Sequence, residues 1–182
     1  MRNLLYWLKF VYFPKAADGL PFMKGLCMDW FSPFGFYFMA AIMIPNILFA
    51  VKCKEGFVNC WHCKIVEIPE QIGRFGCFAF MVVNVPGTWQ GWPSDEAFSA
   101  YLMINTILVG LYCLIWVLCF RKNSLFRALA LSLLPSAVFL FSGILSRSGL
   151  LTLSALVFAP CHILISWKNA KAALAKIDPD SK

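Results

Sequence analysis

The chain runs to 182 residues, 60% of them hydrophobic and only 14% charged, with mean hydropathy +0.72. Soluble domains are nearer one quarter charged, so this composition excludes a sizeable water-soluble domain and places most of the length in lipid. The formal net charge of +7 is scattered in short basic groups beside apolar runs, which suits topology signals and argues against nucleic acid as a partner.

The opening MRNLLYWLKFVYFP starts basic, but Lys9 interrupts its apolar run and no small-residue cleavage site follows, so it does not read as a signal peptide. Residues 3–13 are expected to lie in the membrane interface as an amphipathic helix, with aromatic rings in the lipid and Lys9 among the headgroups. A spanning helix needs about 20 mostly apolar residues. The first such run is 34–51, with Pro45 and Asn46 inside it.

Next comes CKEGFVNCWHCK, in which Cys53, Cys60, His62 and Cys63 total the four ligands of a zinc site. His62 adjoins Cys63 within the motif, which makes tetrahedral closure awkward, and no second knuckle follows at the usual distance. A redox dithiol of Cys60 and Cys63, activated by His62 and Lys64, is the other chemical option. Membrane disulfide enzymes with such pairs work toward an oxidising compartment and need partner cysteines on a second loop. The foremost reading is a loop of reduced thiols with no cofactor, zinc being the sharper alternative.

The second span is the least obvious. Pro69 is expected at the first helical position and Pro86 at the end, giving a helix over 70–85 whose first turn carries Glu70, Gln71 and Arg74. Such a helix rises only about 24 Å, so Arg74 must snorkel or pair, and Glu70 lies one turn before it in the favourable order. The following loop, PGTWQGWPSDEA, has two acids and two Trp and no basic residue, and reads as an outer loop with its indoles at the headgroups. Three further runs, 98–120, 125–145 and 149–167, complete the count.

The expected fold is therefore all-α: one polytopic transmembrane bundle over 1–182, with about five spans and an interfacial N-terminal segment. Lys52, Lys54 and Lys64, then Arg121, Lys122 and Arg127, then Lys168, Lys171, Lys176 and Lys182 all read as cytoplasmic, which places the C-terminus inside and the N-terminus outside. Arg2, Lys9, Lys15 and Lys24 run against that placement, and either the interfacial helix or a span count different by one accounts for them.

Three small-residue stripes admit close neighbours: Gly73, Gly76 and Ala79; Ala128, Ser132 and Ser136; Thr152, Ala155 and Ala159. Packing within the bundle is the foremost use, a homodimer or partner-protein interface the other. Polar groups at membrane depth are costly unless partnered, which singles out Asn46, Asn84, Asn105 and His162 as pocket candidates. Asn46 follows Pro45, which frees a carbonyl one turn earlier, so a structural role is also open. His162 can relay protons or cap the carbonyl that Pro160 releases, and the lack of a mid-span acid counts against proton coupling. Glu67 and Glu70, with Gln71 and Arg74, form either a cation or headgroup site or an ordinary charged junction. No nucleophile elbow, HExxH pair or glycine-rich phosphate loop is present.

At IPNILFAVKCKEGF and EQIGRFGCFAFMVVNVPG the sequence resembles small multi-span bacterial membrane proteins that carry no assigned activity. The resemblance covers about half the chain, implies a bacterial plasma membrane and supplies no catalytic residue. Three functions compete. A non-catalytic component binding lipid or a partner protein stands first and a small transporter with a polar pocket close behind. A thiol enzyme using Cys60 and Cys63 is third.

Overall fold

The computed structural model describes residues 30–52, 61–120 and 124–177. Among these the chain forms α1 (Pro33–Lys52), α2 (Lys64–Val82), α3 (Asp95–Cys119), α4 (Leu125–Leu145) and α5 (Gly149–Ile177), with only two isolated β-bridges. The expected interfacial segment at 3–13 lies outside the described residues.

Helix ends follow local chemistry. Pro33 opens α1, where a missing N–H is harmless. Ser94 caps α3 by accepting from the Ala97 N–H at 3.2 Å, and Ser124 caps α4 by accepting from the Arg127 N–H at 3.2 Å. Arg127 then reaches back with Nη1 to the Cys119 and Phe120 carbonyls, at 3.2 and 3.1 Å, satisfying the end of α3.

One boundary corrects the sequence reading. Pro69 does not open the second helix; α2 begins at Lys64 and contains Pro69. The missing Pro69 N–H leaves the Ile65 carbonyl without its helical donor, and Ile65 is highly exposed at the start of the helix, where solvent can serve that carbonyl. The helix also stops at Val82 rather than 85, because the chain turns extended: Ser32 N–H donates to the Val82 carbonyl and Asn84 N–H to the Trp30 carbonyl. At the other end of the chain α5 runs ten residues past Trp167.

Pro45 and Pro160 sit inside α1 and α5. The carbonyl that Pro45 frees, on Ala41, faces the Cys113 thiol of α3 at 3.9 Å. Asn46 holds the next carbonyl, Ile42, at 3.1 Å through Nδ2, while its Oδ1 accepts from the Tyr112 hydroxyl at 2.9 Å. A proline kink and an interhelical bond are thus satisfied together.

The five helices close a ring in the order α1, α2, α5, α4, α3 and back to α1, with α2 also touching α4. One end carries Lys52, Lys64, Arg127, Lys168 and Lys171; the other carries residues 83–94 and the turn after α4, where Arg147 is the one base among the described residues. Helices α1, α3, α4 and α5 are long and apolar enough to cross a membrane. Helix α2 holds Lys64, Glu67, Glu70 and Arg74 between its start and just past its middle. Yet Glu70 is 1% exposed while Ile68, Ile72 and Phe75 are 57%, 67% and 67% exposed, so the acid faces inward and the apolar side chains outward.

Candidate functional site

Helix α2 connects two polar centres, one near each end of the bundle. The first starts from its glycines. A Cβ on Gly76 would lie 2.4 Å from Ser154 Oγ, and one on Gly73 would lie 2.8 Å from the Phe158 backbone nitrogen. Only glycine permits this approach, and the antiparallel register it sets, 76 against 154 and 73 against 158, brings 70 opposite 162. Glu70 Oε1 accordingly meets His162 Nδ1 at 2.9 Å. One turn on, Arg74 Nε donates to the same oxygen at 3.0 Å and Nη2 adds a second bond. The His162 ring stacks on Phe158, centroids 4.5 Å apart. The register continues to the basic end, where Trp61 N–H donates to Asn169 Oδ1 at 2.9 Å.

This is a built ionic cluster. An ionised carboxylate only accepts, so the tautomer of His162 that complements Glu70 is the one with its proton on Nδ1. The sequence placed Glu70 and Arg74 at a charged junction and His162 alone in another span. The contact between residues 92 apart is what neither position announced. The Gly73 and Gly76 spacing was the available signal.

The second centre is a cavity of about 250 Å³ at the opposite end. Seven aromatic residues among those described line it, including Phe31, Phe80, Trp89, Trp92 and Tyr101, together with Ser32, Asn84, Ser142 and Ser146. Among the described residues no acidic or basic one is in the lining. Asn105, fully buried, supports the floor: its Nδ2 donates to the Tyr101 carbonyl at 3.0 Å and its Oδ1 accepts from Ser142 Oγ at 3.3 Å. Ser146 Oγ donates to the Ser142 carbonyl at 2.7 Å. Loop 83–94 forms the rim, tied to the α4–α5 turn by Gln90 N–H to the Arg147 carbonyl and Gly149 N–H to the Thr88 carbonyl.

The three asparagines therefore have three settings. Asn84 lines the cavity, Asn105 braces its floor and Asn46 belongs to the α1–α3 contact. Of the proposed zinc ligands, Cys53 and Cys60 lie outside the described residues. Cys63 occupies the N-cap position of α2 without a side-chain cap bond, and His62 Nδ1 lies 3.3 Å from Glu67. No group of three or more His, Cys, Asp or Glu side chains converges among the described residues. Comparisons with protein-family models, curated proteins and solved structures find no match for this chain.

Proposed function

We propose that the chain is a five-span protein of a bacterial plasma membrane, cytoplasmic at its basic end, which binds a small amphiphile in the aromatic cavity at the outer end. The cavity carries the proposal. Concave, mostly apolar spaces with a few convergent polar groups are the usual form of ligand sites. At about 250 Å³ it is just below the usual range, a size suited to the head of an amphiphile whose chain continues into lipid. The fifth span is α2: Ile68, Ile72 and Phe75 face outward and Glu70 is paired inside, the arrangement that suits lipid rather than water. The basic residues at one end argue for its cytoplasmic placement.

The test is native mass spectrometry of protein extracted with its own lipids. A bound amphiphile of defined mass is expected on the wild-type chain and not on Ser146→Phe, whose ring would fill the cavity. Equal occupancy of both forms, or no bound molecule on either, overturns the reading.

A second reading, a proton-linked permeation protein, is favoured by the Glu70–His162 pair, which gives a proton a place to bind inside the bundle. Reconstituted protein would then dissipate an imposed pH gradient, read by an entrapped dye, and Glu70→Gln would not. A rate equal to that of protein-free vesicles removes this reading.

A further inference from the structure

We infer that the cavity selects a neutral head bearing hydroxyl groups; this rests on the amphiphile-binding reading above. Charge is the first selector. Among the described residues the lining holds no charged side chain, so an anionic or cationic head would lose its hydration with no opposite charge there to meet it. The direction of the hydrogen bonds is the second. Ser142 gives its hydroxyl proton to Asn105 Oδ1, whose amide is oriented by the bond from Nδ2 to the Tyr101 carbonyl, so the donor and acceptor roles in this pair are fixed. Ser146 gives its proton to the Ser142 carbonyl. Both serine oxygens therefore meet a ligand as acceptors, and what complements them is a donor. Among neutral groups a hydroxyl supplies that donor and keeps lone pairs of its own with which to accept. The aromatic walls match the apolar body next to the head. An ester or ether head without hydroxyls would leave the serine oxygens unanswered, and such mismatches are the strongest source of rejection in buried sites.

The experiment uses the full chain in phosphatidylcholine nanodiscs and a photoreactive monoacylglycerol, with crosslinks mapped by peptide mass spectrometry. Labelling is expected on the loop 83–94 and on the start of α3. Three unlabelled competitors share one chain: monoolein, methyl oleate and oleate. Monoolein is expected to compete at least tenfold better than either of the others. Ser142→Ala with Ser146→Ala is expected to narrow that preference about tenfold, the order of two modest hydrogen bonds, with helical content unchanged. Equal competition by methyl oleate or oleate overturns the hydroxyl selection and leaves amphiphile binding standing. Absence of cavity labelling by the probe, with no copurified amphiphile, overturns the binding reading itself. Labelling that appears only in a chain lacking residues 1–29 assigns the cavity to that segment and overturns both.

Discussion

Glu70 is the residue on which the half of the molecule toward its basic end turns. It is almost wholly buried, and its Oε1 serves both Arg74 and His162. Breaking a buried ion pair from one side strands a charge, which is typically worse than removing both partners. Arg74 is partly exposed and Glu70 keeps His162, so Arg74→Leu is expected to lower stability by about 2 kcal/mol, measured as unfolding in lipid nanodiscs. The double variant Glu70→Leu with Arg74→Leu should recover most of that loss, because no charge is left unpaired. A double variant as unstable as Arg74→Leu would contradict this. By comparison the Tyr112 hydroxyl on Asn46 is a neutral interhelical bond. Tyr112→Phe should cost only about 0.6 kcal/mol, the average for such bonds in membrane bundles.

At the scale of elements the contact between α2 and α5 depends on Gly73 and Gly76. Gly73→Val places a branched side chain against the Phe158 backbone and should push the helices apart, losing the Glu70–His162 bond along with the packing. A methyl group on Gly110 of α3 would meet nothing within 4 Å. Gly110→Ala is expected to be neutral or to stabilise by up to about 1 kcal/mol through helix propensity, so the pair of variants separates close packing from propensity. Equal melting temperatures for Gly73→Val and Gly110→Ala would refute the close-packing account.

Much of this architecture was legible. Four apolar runs form helices long and apolar enough to cross a membrane, and the bounds 125–145 of α4 match because Ser124 is a strong cap and the next loop is short. The small residues of α2 were legible as a packing face, but their partner was not, since a glycine states that something comes close without saying which helix. Pro69 misled because a proline suits both the first turn and the second, where the carbonyl it frees belongs to exposed Ile65. Single polar residues announced their cost, not their partners: Asn105 gave no hint of Ser142, nor His162 of Glu70. The cavity was least legible, since it draws on aromatic residues from the start of α1, the end of α2 and the loop before α3, which are distant in sequence.

For the whole molecule, ligand reading and orientation both require α2 to cross the membrane, with Glu70 turned into the ring and its apolar face on lipid. Its two flanks offer exposed positions, Lys64 at the first residue of the helix and Gln90 in the loop after it. The direct measurement is labelling of single cysteines, Lys64→Cys and Gln90→Cys, in a cysteine-free chain in intact cells with a membrane-impermeant maleimide. The expected result is that Gln90→Cys reacts from outside and Lys64→Cys reacts only after lysis. Reaction of both positions from the same side would show that α2 does not cross, and would contradict the five-span account.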